Sequence, residues 1–160
     1  MGARLRALPR RVPAYSTALF ATRAGRRHAA RFGSTPDQVT AARHWVRGVT
    51  GLRPHQEDAL EIAVSELVTN ALTHTASGQD GGFTIVLSYP SEGRIRVSVT
   101  DNGPRLGCAP TFPKLAEASP DGMHGRGLLL VSRFSRRMGV LGVLGEPLTV
   151  WAVFDRSDLR

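Results

Sequence analysis

Cysteine is nearly absent from this sequence. Cys108 is the one cysteine in 160 residues, so the chain can form neither an internal disulfide nor a metal site built from several thiolates. Long hydrophobic runs are also missing, because none approaches the roughly 18 residues that a membrane-spanning helix needs. We therefore expect a cytoplasmic protein with no part in a membrane.

Acidic residues are missing from the first 31 positions, which hold eight arginines. The formal net charge of +8 is concentrated there, since the rest of the chain has 13 basic and 13 acidic residues. A neutral body gives no electrostatic ground for binding nucleic acid. We expect residues 1–32 to be a basic, disordered tail, although a nucleic-acid arm, a membrane-surface arm or a targeting peptide would have a similar composition.

Residues 33–158 predict a single domain of the α+β class. Apolar residues recur at helical spacing in three segments and alternate with polar residues in four others. A segment rich in proline and glycine, at about 104–124, is typical of a lid or binding loop. The order of elements predicts a two-layer α/β sandwich with helices on one face of a mainly antiparallel sheet. The predicted helices cover about 34–51, 54–73 and 126–138, and the predicted strands cover 83–88, 94–100, 140–144 and 148–154.

Glu66 and Asn70 lie four residues apart on the second predicted helix, so their side chains share one face, and Thr73 continues the same row. A carboxylate and a carboxamide offer hard oxygen ligands to Mg²⁺, and a carboxylate can also deprotonate a hydroxyl nucleophile. A solvent-exposed helix face would contain the same residue types. This pair alone therefore leaves both readings open.

The run Asp101-Asn102-Gly103-Pro104 ends a predicted strand. Turn formation alone explains these residue types. A carboxylate fixed at a strand end can also accept a hydrogen bond from an exocyclic amine such as that of adenine, while Gly103 permits close approach of a ligand to the backbone.

A third segment, Gly125-Arg126-Gly127-Leu128, opens the last predicted helix. Free N–H groups at a helix N-terminus favour phosphate binding. A lid hinge or a helix cap would also use these glycines, and the pattern matches neither the Rossmann nor the Walker motif.

Taken together, these segments resemble the GHKL ATPase family with its Bergerat, histidine-kinase-like nucleotide fold. The resemblance covers about residues 35–155, and it is greatest to the RsbW-like anti-sigma factors and serine/threonine kinases of bacteria. Residues 66–71 with His74 are similar to the asparagine box, residues 101–103 to the first glycine box, and residues 124–128 to the second. Thr149 on the last strand resembles the threonine that helps the aspartate to hold adenine.

The resemblance implies ATP and Mg²⁺ as cofactors. It implies that Asn70 binds Mg²⁺, that Asp101 binds the adenine amine, and that Glu66 acts as the general base. Gly103 would then lie against adenine, and the second glycine box would contact the phosphates through Gly125, Arg126, Gly127 and Leu128. His74 is expected in a supporting position, and Lys114 lies in the presumed lid.

Two functions fit this resemblance. The first is a protein kinase that phosphorylates a serine or threonine of an anti-anti-sigma protein. The second is a binding module that uses ATP to order its lid and sequesters a sigma factor or another regulator without phosphorylating it. The resemblance also implies a homodimer. A third hypothesis, nucleic-acid binding driven by the arginine-rich tail, uses the domain only as a scaffold.

Overall fold

The structure, a computed structural model, describes the backbone of residues 16–22, 25–114 and 126–159 and, outside residues 16–25 and 54–57, their side chains. Six strands and three α-helices make up this part of the chain. The strands are β1 (Ser16–Thr22), β2 (Gly25–Phe32), β3 (Phe83–Ser88), β4 (Arg94–Thr100), β5 (Arg137–Leu141) and β6 (Thr149–Asp155). The helices are α1 (Gln38–Thr50), α2 (Pro54–His74) and α3 (Arg126–Phe134).

All six strands form one antiparallel sheet in the order β1-β2-β3-β4-β6-β5. The helices cover one face of this sheet, with α2 in contact with β3, β4 and β6. The predicted α+β fold, with helices on one face of an antiparallel sheet, is confirmed. Among the described residues, no helix is both long and apolar enough to cross a membrane.

Apolar side chains from both layers meet in a single core. Every second residue of β3, β4 and β6 is buried, which matches the period of two along a strand. The apolar row of α2, which includes Leu60, Val64 and Leu67, is almost completely buried against them. Since α2 is held along its length, its polar side chains have a defined position relative to the sheet.

The prediction of a disordered tail through residue 32 is wrong for β1 and β2, while residues 1–15 lie outside the described part. β2 pairs with β3 from Arg27 to Phe32, so its backbone hydrogen bonds are made within the sheet. Phe32 is 2% exposed and stacks on Phe83 with ring centroids 5.1 Å apart. Ala30 and Phe32 are buried on either side of the exposed Arg31, which is a strand pattern, but it is short and lies in a segment rich in arginine.

The third helix is shorter than predicted. It ends at Phe134, and β5 begins at Arg137 rather than at residue 140. The amide of Arg136 donates to the carbonyl of Val153 at 2.8 Å, which leads the chain directly into pairing with β6. Sheet pairing at this position outweighs the helical pattern that predicted an extension to residue 138.

Candidate functional site

A cleft opens where the C-terminal end of α2, the end of β4 and the residues before β6 meet. Its walls include His74, Asp101, Gly103, Arg105 and Leu148. The space measures about 350 Å³ when its open mouth is counted. The cleft therefore brings together the strand-end aspartate, its glycine and the helix-end histidine that the sequence singled out.

Asp101 is held rigidly at the wall of this cleft. One carboxylate oxygen, Oδ1, accepts hydrogen bonds from the amides of Gly103 at 2.7 Å and Leu148 at 3.1 Å. The amide of Asp101 donates in turn to the carbonyl of Leu148 at 3.0 Å. Within the described residues, Oδ2 has no hydrogen-bond partner. A half-buried carboxylate with one oxygen anchored and one available can accept a hydrogen bond from a ligand.

Gly103 has a left-handed backbone, with φ +84°, which L-residues other than glycine rarely adopt. Its carbonyl accepts a hydrogen bond from the amide of Ala76 at 2.9 Å, and this bond ties the turn to the end of α2. The turn after β4 is therefore fixed from both sides, which supports its predicted role as a wall of the site.

Sequence reasoning missed two residues that support this turn. Ser77 is fully buried, and its hydroxyl accepts a hydrogen bond from the amide of Asn102 at 2.8 Å. Thr75 accepts a hydrogen bond from the amide of Ser77 at 3.1 Å and so holds Ser77 in place. The spacing Thr75-x-Ser77 after a helix is a common side-chain turn signal, but it indicates only a local turn and not the bond from the Asn102 amide to Ser77.

Arg105 was also missed. Its guanidinium donates to the carbonyls of Leu72, at 3.4 Å, and Thr75, at 3.3 Å, and to that of Thr73. These carbonyls lie at the C-terminal end of α2, where they lack helical partners and the dipole favours a cation. Arg105 therefore joins the start of the predicted lid to α2. The described part of that lid, through the exposed Lys114, forms no helix or strand.

Glu66 and Gly127 are in direct contact between α2 and α3. A Cβ atom added at Gly127 would lie 3.1 Å from the carboxyl carbon of Glu66 and closer still to one of its oxygens. The Glu66 carboxylate therefore rests against the first turn of α3, where only glycine leaves room. Among the described residues it has no hydrogen-bond partner, so it is available as a proton acceptor.

Asn70 lies one turn beyond Glu66 on the same face of α2, half-buried and without a described hydrogen-bond partner. His74, one turn further, is exposed and lines the cleft. Eight residues of helix separate Glu66 from His74, which corresponds to about 12 Å along the axis. The row suits an elongated ligand whose two ends differ in chemistry, with one end at Asp101 and the other at Gly127.

The oxygen ligands of this row fit Mg²⁺. In the parts of the chain that the structure describes, no group of three or more His, Cys, Asp or Glu residues could enclose a metal ion. Mg²⁺ needs no such group, because it commonly takes one or two protein oxygens and completes its shell with phosphate oxygens and water. Asn70, with Glu66 one turn away, provides oxygens of that kind.

The predicted role of Thr149 beside the aspartate is wrong. Its hydroxyl hydrogen-bonds to that of Thr100 at 2.7 Å, on the face of the sheet turned away from the helices. Leu148 is the residue whose backbone pairs with Asp101, and it lines the cleft. Adjacent strand residues point to opposite faces, so a shift of one position moves the side chain out of the site.

The predicted second glycine box is placed only in part. Gly125 lies outside the described residues, so its phosphate contact stays a prediction. Arg126 is exposed at the start of α3. Leu128 is 7% exposed and belongs to the core, so its predicted ligand contact can come only from its backbone.

Comparisons with known proteins show the family to which the chain belongs. Residues 32–149 match the family described as histidine kinase-like ATPase domain. Over 71 residues the chain is 34% identical to the serine-protein kinase RsbW of Listeria monocytogenes serotype 4a, a match that covers 42% of this chain and 45% of that protein. It is also 36% identical over 69 residues to coenzyme PQQ synthesis protein F of Pseudomonas syringae, which covers 41% of this chain and 9% of that protein.

A solved structure has a similar fold. The RsbU and RsbW domains of a Mycobacterium tuberculosis protein align with a TM-score of 0.56 at 16% identity, over 81% of this chain and 31% of that one. At this identity the likeness concerns the fold alone. The chain thus spans less than half the length of each of these matched proteins.

Proposed function

Since the chain belongs to the histidine kinase-like ATPase domain family, we propose that it binds Mg-ATP in the cleft beside Asp101 and transfers the γ-phosphoryl group to a serine or threonine of a partner regulatory protein. The observation that carries this proposal is the arrangement of four residues along α2. Glu66 and Asn70 belong to this helix, Asp101 follows β4 beside its C-terminal end, and Gly127 of α3 contacts Glu66.

Asp101 would hold the adenine. Its Oδ1 is anchored by two backbone amides, so Oδ2 has a fixed position from which to accept a hydrogen bond from the exocyclic amine. If a base presented a carbonyl oxygen in place of this amine, that oxygen and the carboxylate oxygen would both be acceptors. No proton would lie between them, so no hydrogen bond could form. The site would therefore discriminate between purines by hydrogen-bond pattern rather than by size.

The phosphates would lie at the other end of the row, toward the first turn of α3. Backbone amides at a helix N-terminus bind anions, and the absent side chain at Gly127 leaves them accessible. The metal ion, when bound, neutralises charge on the phosphate oxygens. Asn70 would hold it from α2 through its side-chain oxygen.

Glu66 would act on the acceptor hydroxyl. As the hydroxyl oxygen bonds to the γ-phosphorus, its proton would pass to the Glu66 carboxylate, and the bond between the γ-phosphorus and the bridging oxygen would break to leave ADP. Glu66 suits this role because it is positioned by its contact with Gly127 while its oxygens are not engaged by another described side chain.

The names of the relatives support a protein as the acceptor. The matched Listeria proteins are named serine-protein kinase RsbW, which supports a partner protein as substrate. We propose an anti-anti-sigma protein as the acceptor and a sigma factor as the regulator that this chain sequesters. Sequestration without phosphoryl transfer is the alternative, since it needs the same ATP site but not the base.

The test separates binding from transfer. Wild-type chain, Glu66→Gln and the matched surface variant Glu92→Gln would be incubated with γ-labelled ATP, Mg²⁺ and purified anti-anti-sigma proteins, and ATP affinity would be measured on the same samples by calorimetry. We expect label on the acceptor with wild type and Glu92→Gln, and its loss in Glu66→Gln with ATP binding retained. ATP binding without label in the wild type would establish the sequestering module, and no ATP binding would overturn the proposal.

A further inference from the structure

The face of the sheet opposite the helices is uncovered by any described element. We name it the open face; it comprises the outward side chains of strands β2 to β6. No described helix packs on it, and its outward residues are half-buried or exposed, whereas the residues between them fill the core. An uncovered face of an antiparallel sheet can meet solvent or a partner, and its side chains decide which.

A line of arginines crosses the open face. The strand register places Arg27, Ser88, Arg96, Val153 and Arg137 side by side from β2 to β5. Since neighbouring strands lie about 4.8 Å apart, successive arginines on this line are separated by two strand spacings, about 10 Å. Burial lowers the pKa of the Arg96 guanidinium from its usual value, and the positive charge of Arg27 lowers it further.

These charges lack acidic partners on the protein. Asp155 is the one carboxylate among the described outward side chains, and it is already bonded to Arg94 at 3.1 Å and Arg136 at 2.7 Å. Arg27, Arg96 and Arg137 form no ion pair with a described residue. The open face is therefore a positive surface, although residues 32–160 as a whole hold 13 basic and 13 acidic residues.

An uncharged line runs beside the arginines. It contains Ala29, Val86, Ser98, Trp151 and Gly139, again in register. The Trp151 ring lies against Gly139, where a Cβ would come within 2.8 Å of it, and the Arg96 guanidinium is centred 4.4 Å from the ring centroid. The indole N–H is shielded and has no hydrogen-bond partner among the described residues.

We propose that the open face docks a protein partner whose surface presents carboxylates around an apolar centre. The uncharged line beside the line of arginines resembles the usual organisation of a protein interface, in which an apolar centre adjoins a polar border. Tryptophan and arginine are among the side chains that contribute most to binding at such interfaces. Carboxylates opposite Arg27 and Arg137 would neutralise charges that are unpaired in the free protein. This surface lies on the side of the sheet away from α2, so the inference stands independently of ATP binding.

Two other occupants fit less well. A second copy meeting this face through a twofold axis would bring arginines against arginines, because such an interface pairs a surface with itself. Single-stranded nucleic acid would need exposed aromatic rings on which bases stack. Trp151 is already in contact with Arg96, and no other described outward side chain of these strands is aromatic.

The NMR signals of the two indole N–H groups in the chain are the readout of the test. Trp151 lies on the open face, whereas Trp45 is 6% exposed in the core, so it serves as an internal control. The ¹⁵N-labelled full chain would be titrated with an amphipathic peptide whose glutamates flank a stripe of leucines. The comparison probes are the same peptide with lysines for glutamates and a thymidine oligonucleotide.

We expect the glutamate peptide to shift the Trp151 signal but not that of Trp45, and to lose affinity as salt is raised. Arg27→Glu with Arg137→Glu should weaken this binding by about tenfold or more. Arg43→Glu, on α1 and therefore away from the open face, should not. The binding should persist in Asp101→Asn, so that failure of the ATP site and failure of this surface are distinguishable.

Equal shifts with the lysine peptide would overturn the proposal, and so would the absence of any shift. A stronger response to the oligonucleotide would show that the face binds nucleic acid instead. Concentration-dependent shifts of Trp151 without any peptide would assign the face to a second copy of the chain.

Discussion

Replacing Asp101 with asparagine keeps the shape of the side chain and turns one oxygen into an amide group. In the protein, Oδ1 accepts two backbone hydrogen bonds, from Gly103 and Leu148. The carboxamide oxygen of Asn can still accept both, which leaves its NH₂ at the position of Oδ2. This NH₂ and the exocyclic amine of adenine would then face each other. Both are donors, so no hydrogen bond could form between them.

The magnitude follows from the bond that is lost. A hydrogen bond to a charged acceptor contributes about 1.5 to 3 kcal/mol, so we expect ATP affinity to fall on the order of 10- to 150-fold. Inosine triphosphate should respond in the opposite direction, because its base presents a carbonyl oxygen that the Asn NH₂ can contact. The ratio of ATP to inosine triphosphate affinity should therefore fall by a larger factor than the ATP affinity alone.

Calorimetric titration of both nucleotides into wild type and Asp101→Asn measures this ratio directly. Asp158→Asn, the same chemical change at an exposed position, is the matched control. A thermal melt of each variant checks that folding is intact. Equal losses for the two nucleotides, or unchanged ATP affinity, would refute the assignment of Asp101 to the base.

Five further substitutions test the site and the sheet. In calorimetry, Leu148→Thr should raise the ratio of ATP to inosine triphosphate affinity. Thr149→Val should leave this ratio unchanged, and it should lower the free energy of unfolding by about 1 kcal/mol. Gly127→Ala should slow label transfer without lowering the melting temperature, because the carboxylate beside it must move while alanine favours the helix. Gly139→Ala should destabilise by about 1 to 3 kcal/mol in urea titrations, and Trp151→Leu in the same chain should recover much of this loss. Three outcomes would contradict these expectations. They are a changed affinity ratio in Thr149→Val, unchanged label transfer in Gly127→Ala, and a loss of stability in the double variant Gly139→Ala with Trp151→Leu that equals the sum of the two single losses.

Much of the fold was predictable because it depends on local patterns. α2 begins at Pro54, as predicted, and ends within one residue of the prediction, and β3 and β4 have the predicted bounds. In these elements the apolar residues recur with a long, regular period, so contacts with other elements do not change their secondary structure. β2 and the boundary between α3 and β5 were predicted wrongly, since in both places pairing with a distant strand decided the backbone.

The candidate site shows the same division. Glu66, Asn70 and Asp101 could be selected from the sequence because carboxylates and amides at helical spacing and at a strand end suggest metal and amine binding. Ser77 and Arg105 could not, because their importance comes from groups that are far away in the sequence, the amide of Asn102 and the carbonyls at the end of α2.

The sequence by itself determined the fold class, the helix that carries Glu66 and Asn70, and the strand-end position of Asp101, since each depends on the order and spacing of residues within one segment. Only the tertiary structure decided that Leu148 rather than Thr149 accompanies Asp101, that Gly127 makes room for Glu66, and that the arginines align across the open face. Each of these follows from register between segments, and a displacement of one residue there reverses which side of the sheet a side chain occupies.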